Sequence, residues 1–400
     1  MQFHKNFYLQ HKWQQLIAEH EASDLWAQYE CSKHALIWAP GNDPHDHGVT
    51  IVKQGKHAHY HGLMTCGGVW GCPVCAAAAL EDYFYKIKAA SNGMINNGYS
   101  AAMITFTIPH RQTQTAKQVL SDLNAIMANF QNQPCYNRDC KAAGFGGNIR
   151  ALEATYGNNG WHWHFHVISF FNNLTPAAAE DLERQWKWQW YKSCLRIVPN
   201  LVQYYDSVES LMANDTSDGV HFSRKHSGAI WLANDAEQCA RYICDAAKEL
   251  SAQQHKGKFT GHGSGWHMTP LQLLQSDEKH FNDMYFEYVR AAKGKYRIYI
   301  SPYVRRRCGV DVNAEAERLH AAEAENFTQP EVVCKFGVIS WSDVVRVEQE
   351  QGIPLRAIIL VQAINGGAGA VIRLCGEFNI DTSDISVPTK GETAARVMTA

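Results

Sequence analysis

Three histidines stand at alternate positions in the segment YGNNGWHWHFHVISFF, residues 156–171. Alternate side chains of a β-strand point to the same face, so His162, His164 and His166 share one face if this segment is a strand. The preceding residues, GGNIRALEATYG, are also strand-like, and the Asn-Asn-Gly between the two segments predicts a hairpin. Either choice of the two loop residues places Glu153 on the histidine face, opposite His164 or His166. Two imidazoles and one carboxylate on adjacent strands predict a divalent-cation site with open coordination positions.

The same alternation is also typical of a strand with one solvated face, on which histidine is an ordinary residue. The presence of Glu153 on the histidine face favours a metal site but does not exclude a solvated face. Other motifs along the chain therefore have to discriminate between the two interpretations.

The segment RALEATYGNNGWHWHFHVI resembles the His-hydrophobic-His motif of HUH endonucleases and, more narrowly, that of rolling-circle plasmid replication initiators. Four further segments resemble landmarks of that family in the expected order: TCGGVWGCPVCAAA, MITFTIPH, GSGWHMTPLQLL and FEYVRAAKGKYRIYISPYVRRRCGV. The resemblance implies an α/β (α+β) HUH endonuclease fold, in which helices flank a central antiparallel sheet. It also implies metal-dependent, site-specific nicking and joining of single-stranded origin DNA through a 5′-phosphotyrosyl intermediate.

The resemblance assigns the catalytic cation, Mg²⁺ or Mn²⁺, to His164 and His166. Glu153 is the third ligand that the hairpin predicts. The additional histidine upstream, His162, is a candidate accessory ligand or substrate contact.

The family's single nucleophilic tyrosine corresponds to Tyr242, on a helix predicted from the segment NDAEQCARYICDAAKEL. A phenol titrates at about 10, so it needs a nearby cation or base to attack at neutral pH. Relatives often have a lysine three residues after the tyrosine and can have a glutamate four residues before it. This chain has Asp245 and Gln238 there, with Glu237 beside the latter. Since Gln238, Tyr242 and Asp245 share a helix face, we expect Asp245 to act as the base.

Cys66 and the pair Cys72-Pro-Val-Cys75 have a spacing suited to structural zinc. A lone Cys-x-x-Cys can also be a redox pair, but no thioredoxin-like βαβ pattern surrounds this one. Relatives tend to have a cysteine further upstream, which makes Cys31 the first choice for the fourth ligand. The alternatives are His59 and His61.

The formal net charge is −2, so DNA binding would depend on local patches rather than on the whole chain. Lysines and arginines near the end of the family resemblance can neutralise phosphates, and tryptophans beside the histidines can stack unpaired bases. The candidate DNA contacts are Lys293, Lys295, Arg297, Arg305, Arg306, Trp161 and Trp163.

The 400 residues predict three regions: a helical and Cys-rich region at 1–95, the catalytic domain at 96–312 and a small α/β module at 325–400. No secretory signal is visible, and apolar runs such as AIILVQAI are too short to span a bilayer. We therefore expect a cytoplasmic protein without a membrane partner. The resemblance implies single-stranded or hairpin origin DNA of a plasmid or phage as the partner, together with host helicase and polymerase.

Three other functions remain open from the sequence. One is a relaxase or single-strand transposase of the same superfamily. Another is a catalytically inactive, zinc-containing DNA-binding protein, which Asp245 and Gln238 favour. The third is a metallohydrolase that acts on small molecules and forms no DNA adduct.

Overall fold

The computed structural model divides the chain into two compact units. Met1–Ala79 and Glu323–Ala400 form the first unit, and Leu80–Ala322 forms the second. The structure describes residues 3–35, 49–55, 57–172, 174–213, 219–224, 230–233, 266–326 and 333–385.

The first unit contains a three-stranded antiparallel sheet with the order β10-β1-β2. Its strands are β1 (Val49–Gln54), β2 (His57–His61) and β10 (Val333–Ile339). Its helices are α1 (Phe3–Glu19), α2 (Trp26–Tyr29), α12 (Trp341–Gln351) and α13 (Leu355–Glu377). Helix α3 (Pro73–Asn96) begins in this unit and continues into the second unit after Ala79.

The sequence predicts that residues 325–400 form a region separate from residues 1–95. In the structure, strand β10 of the last region pairs with strand β1 of the first. Val49 lies opposite Ile339, and both side chains are buried in one apolar core with Ile51 and Phe336. The first and last parts of the chain therefore share a sheet and a core, so the described residues at 333–385 do not form a separate module.

Helix α13 corrects the expectation that no apolar run is long enough to span a bilayer. Its 23 residues, with a mean hydropathy of 1.6 in the most apolar window, could cross a membrane by length and composition alone. The core helix of a soluble protein passes the same test, and Ile359, Leu360 and Val371 are buried in the core of the first unit. Gly367, with φ of 64° and ψ of −161°, breaks the helical geometry in its middle.

The second unit is built on an antiparallel sheet whose main path is β6-β3-β5-β4-β8, with β7 paired to β3 and β9 to β4. The strands are β3 (Ser100–Phe106), β4 (Phe145–Gly157), β5 (Gly160–Phe171), β6 (Val220–Phe222), β7 (Leu232–Ala233), β8 (His267–Met268) and β9 (Ile298–Ile300). The helices are α4 (Ala116–Gln131), α5 (Pro134–Ala142), α6 (Pro176–Ile197), α7 (Val208–Ala213), α8 (Pro270–Gln275), α9 (Lys279–Ala292), α10 (Pro302–Arg307) and α11 (Val312–Asn326), the last four residues of which belong to the first unit. The described residues thus agree with the predicted α+β class.

Strands β4 and β5 form the predicted hairpin, with Asn158-Asn159 as its two-residue loop. Gly157 pairs with Gly160, and this register places Glu153 directly opposite His164. The histidine face and the opposite face differ in burial: the side chains between the histidines, Trp163 among them, are fully covered. Burial of one face resists slippage, because a one-residue shift would exchange the two faces.

Two helices of the second unit begin after a threonine whose side chain caps the first turn. Thr115 caps α4 in a reciprocal capping box with Gln118, and Thr175 caps α6 ahead of Pro176. Each cap satisfies backbone N–H groups that the first helical turn leaves without an intrahelical acceptor.

The hairpin turn requires glycine at position 160. Gly160 has φ of 84°, and a Cβ there would lie 2.8 Å from the Cα of Gln112. Gly98 has φ of 83° but no described atom within 4 Å of the same position. Both glycines adopt the left-handed conformation, so only the steric contact distinguishes them.

We predict that Gly160→Ala lowers the free energy of unfolding by about 1–3 kcal/mol more than Gly98→Ala does, because backbone has to move to admit the methyl group. Chemical denaturation of the two variants measures the difference. Equal losses would show that the turn tolerates a side chain and that the described close approach is wrong.

Candidate functional site

Glu153, His164 and His166 bring three metal-ligand atoms together on the histidine face of the β4–β5 hairpin. Nε2 of His164 lies 3.1 Å from Nε2 of His166, and Oε2 of Glu153 lies 3.3 Å and 3.4 Å from these two nitrogens. Ligands at about 2.1 Å from one cation stand roughly 3.0–3.4 Å apart in octahedral or tetrahedral geometry. The three atoms therefore have the separations that a single divalent cation requires.

Strand β3 orients one of the imidazoles. Thr105 lies opposite His166 across the β3–β5 ladder, and its Oγ1 is 3.0 Å from Nδ1 of that histidine. When Nδ1–H donates to the threonine oxygen and a cation occupies the site, Nε2 has no proton and its lone pair can bind the cation beside the carboxylate and His164. A hydrogen bond at the second nitrogen is the usual means of fixing the tautomer of a metal-binding histidine.

The carboxylate of Glu153 is held in its charged form. Burial alone would raise its pKa, but His166 and His164, through charge and hydrogen bonds, lower the pKa to about 2. Its second oxygen, Oε1, is buried without a hydrogen-bond partner among the described residues. A buried anionic oxygen without a donor is costly, and a cation beside it would supply the missing interaction. This observation fits a metal ion held by the three residues.

His162 lies beside this group and not within it. Its ring centroid is 5.1 Å from that of His164 and 5.0 Å from that of His110. Burial, followed by repulsion from His164, His110 and His267, lowers its pKa to about 3. The ring is therefore neutral at neutral pH, next to the three closely grouped ligands.

A second potential metal site is formed by Cys31, Cys66, Cys72 and Cys75 in the first unit. Measured Sγ–Sγ distances are 3.5 Å from Cys31 to Cys72, and 3.6 Å from Cys75 to both Cys31 and Cys66. Four thiolates at about 2.3 Å from a tetrahedral ion stand roughly 3.8 Å apart, whereas a disulfide requires about 2.0 Å. The cluster matches a tetrahedral site, and Cys31 takes the fourth position instead of His59 or His61.

The surroundings of the cluster also suit anionic sulfur. Backbone N–H groups of Cys66 and Gly68 donate to Sγ of Cys31 and Sγ of Cys66, each at 3.3 Å. Hydrogen bonds from Cys66, Cys72 and Cys75 lower the pKa of the Cys31 thiol, whereas the hydrogen bond with Cys31 raises the pKa of Cys66 and of Cys72, so the four sulfur atoms share the charge unequally. A Cβ on Gly68 would lie 3.1 Å from Sγ of Cys66, so the loop closes tightly around the sulfur atoms.

The four candidates of the nucleophile helix, Tyr242, Asp245, Gln238 and Glu237, lie outside the described residues. Their positions relative to the three metal ligands therefore remain predictions. The candidate DNA contacts lie within the described residues, and the structure separates them by burial.

The structure corrects the proposed stacking role of Trp161 and Trp163, which are 1% and 0% exposed. Both rings stack on Tyr288 of α9, at interplanar angles of 18°. Trp161 and Trp163 alternate with the histidines along the strand and point to its opposite, helix-covered face, so their rings are core and are not available to unpaired bases. Arg297 is also buried and does not present its guanidinium to a phosphate.

Four of the basic candidates are exposed: Lys293, Lys295, Arg305 and Arg306. The guanidinium of Arg306 lies 5.0 Å from the ring centroid of Tyr303, which is itself 53% exposed. The charged side chains of these four residues are therefore accessible to phosphate groups.

Thr105 and His110 belong to the site but were not assigned roles from the sequence. Alternation along MITFTIPH could have placed Thr105 on one face of its strand, but its contact with His166 depends on the pairing of β3 with β5. The ring contact of His110 with His162 depends on a loop, for which the sequence contains no periodic signal.

Comparisons with known proteins found two distant relatives. The chain is 25% identical to "Protein rep" of Streptomyces lividans over 320 residues, covering 62% of this chain and 65% of that protein. It is 26% identical to "Neomycin resistance protein" of Streptomyces cyanogenus over 189 residues, covering 38% of this chain and 43% of that protein. The chain thus spans less than two thirds of the length of either relative. No family model and no solved structure matches.

We predict that Thr105→Val weakens Mn²⁺ binding by about 10-fold or more, because it removes the oxygen that accepts from Nδ1 of His166. Isothermal titration calorimetry measures the affinity. The matched control is Thr155→Val, since Thr155 lies opposite His162 on the same hairpin. Unchanged affinity in Thr105→Val, or an equal loss in both variants, would contradict the assigned orienting role.

Proposed function

We propose that this protein initiates rolling-circle replication of a plasmid or phage by nicking and rejoining single-stranded origin DNA. The observation that carries the proposal is the convergence of Glu153, His164 and His166, whose ligand atoms lie 3.1–3.4 Å apart. The similarity to Protein rep supports a replication initiator. Plasmid origin DNA, as a single strand or hairpin, is the partner that follows from this role.

The proposed fold of the second unit is that of HUH endonucleases. Support comes from an antiparallel sheet whose inner strand, β5, carries the His-hydrophobic-His unit, and from helices that pack on the sheet. Glu153 on the adjacent strand completes the ligand set from within the same hairpin.

The three ligands would hold Mg²⁺ or Mn²⁺, which when bound polarises the scissile phosphate and offsets its developing negative charge. Tyr242 is the proposed nucleophile. Its oxygen bonds to phosphorus while the bond to the 3′-oxygen breaks, which leaves a 5′-phosphotyrosyl link and a free 3′-hydroxyl. Because the covalent link conserves the phosphoester, rejoining needs no ATP. The free 3′-end can prime a host polymerase, with a host helicase separating the strands.

Asp245 is the proposed base that accepts the proton of Tyr242. It stands three residues after the tyrosine, so both share a helix face in the predicted helix. Gln238, beside Glu237, stands four residues before the tyrosine, where it would orient the phosphate or a water molecule by hydrogen bonding.

The exposed basic residues Lys293, Lys295, Arg305 and Arg306 are the proposed phosphate contacts. Each neutralised phosphate releases counterions, so affinity for the origin strand should fall as salt rises. The Cys31–Cys66–Cys72–Cys75 cluster is proposed to hold structural zinc, which four thiolates in tetrahedral arrangement favour.

We predict that Tyr242→Phe abolishes the covalent protein–DNA adduct formed with a labelled single-stranded origin oligonucleotide and Mn²⁺, while DNA binding persists. The phenyl ring has no oxygen to bond to phosphorus, but the phosphate contacts are unchanged. Denaturing electrophoresis detects the adduct, and mass spectrometry of the DNA-linked peptide identifies the tyrosine.

The matched control is Tyr296→Phe, because Tyr296 is 77% exposed and is not a candidate nucleophile. An adduct that maps to a tyrosine other than Tyr242 would contradict the assigned nucleophile. DNA binding without any adduct in the wild-type protein would indicate a catalytically inactive binding protein.

A further inference from the structure

A buried arginine connects the C-terminal helices of the first unit to α1. Arg356, in the first turn of α13, is 1% exposed. Its Nε donates to Oε2 of Glu348, and its two terminal nitrogens donate to Oε1 of Gln14 at 2.6 Å and Oε1 of Gln10 at 3.2 Å. A buried charge is tolerated only when it is paired and hydrogen-bonded, and the carboxylate of Glu348 supplies the opposite charge.

The same guanidinium contacts the segment that carries one of the four cysteines. Nη1 of Arg356 lies 3.3 Å from the carbonyl oxygen of Ser32 and 3.5 Å from that of Cys31. Gln10 extends the connection, since its Nε2 donates to Sγ of Cys72 at 3.4 Å and to Oγ of Ser32 at 3.3 Å. Two hydrogen bonds therefore join the guanidinium to the sulfur of Cys72.

These contacts have the chemistry that a thiolate metal site needs around it. A divalent cation with four thiolates has a formal charge of −2, and Cys72 is fully buried, so water cannot stabilise its sulfur. An N–H group that donates to the sulfur delocalises this charge. Gln10 can offer that N–H group in one orientation only, because its amide oxygen is held by Arg356.

We propose that Arg356 is a positioning residue of the thiolate metal site, acting through Gln10 and through the backbone of Cys31 and Ser32. The inference rests on metal binding by the cysteine cluster, as proposed above. It goes beyond that proposal because Arg356 would then determine metal affinity, although it is far in sequence from every cysteine of the cluster. Loss of the metal would conversely loosen the start of α13.

Full-length protein with Arg356→Met or Gln10→Met tests the inference. Zinc content, the rate of zinc loss to a chelator and the visible spectrum of the Co²⁺-substituted protein are measured for each. We predict about 10- to 100-fold weaker metal affinity in both variants, as for other residues that orient metal ligands. The sulfur-to-cobalt charge-transfer bands should shift in Gln10→Met, because the N–H contact with Cys72 is lost.

The matched control is Arg346→Met, since Arg346 pairs with Asp343 and Glu350 on the exposed face of α12. Its metal affinity and cobalt spectrum should equal those of the wild type. If Arg356→Met fails to fold, Gln10→Met and Arg356→Lys test the positioning role instead. Metal affinity close to that of the wild type in Arg356→Lys would show that the positive charge contributes.

The outcomes separate the two proposals. Wild-type protein without bound metal, and without Co²⁺ charge-transfer bands, would overturn the metal assignment of the cluster. A normal metal content with unchanged affinity and spectrum in Arg356→Met and Gln10→Met would overturn the positioning role alone. Lower thermal stability with unaltered metal affinity would likewise show that Arg356 acts only in packing.

Discussion

The register of the β4–β5 hairpin is the constraint on which the candidate metal centre depends. With Gly157 paired to Gly160, Glu153 lies opposite His164 and one position along the same face from His166. A one-residue slip would transfer the histidines to the covered face and expose Trp163 to solvent. The glycine turn and the packing of the tryptophans on α9 therefore determine where the ligands lie, although neither takes part in metal binding.

Much of the site could be predicted from the sequence because its geometry is local. A period of two places the histidines on one face, and a two-residue turn joins Glu153 to them, so few residues determine the result. The same alternation could have predicted that Trp161 and Trp163 lie in the core, since they occupy the opposite parity. Proximity along the chain to the histidines predicts them as DNA contacts but does not tell on which face of the strand their rings lie.

The parts that could not be predicted depend on contacts between residues distant in sequence. Pairing of β1 with β10 joins residues 279 to 290 positions apart and merges the predicted first and last regions into one unit. The contact of Arg356 with Gln10 spans 346 positions, and neither residue has a periodic or motif signal. The helix of Tyr242 is predicted from the sequence, but its residues lie outside the part of the chain that the structure describes.

We propose that Glu153, His164 and His166 hold one cation on the sheet. Electron–nuclear double resonance on the Mn²⁺-loaded protein tests it most directly, because each coordinated imidazole nitrogen produces its own hyperfine coupling. We expect two nitrogen couplings, one of which disappears in His164→Ala and the other in His166→Ala, with both retained in His162→Ala. A spectrum without nitrogen coupling, or one whose coupling disappears only in His162→Ala, would contradict the claim.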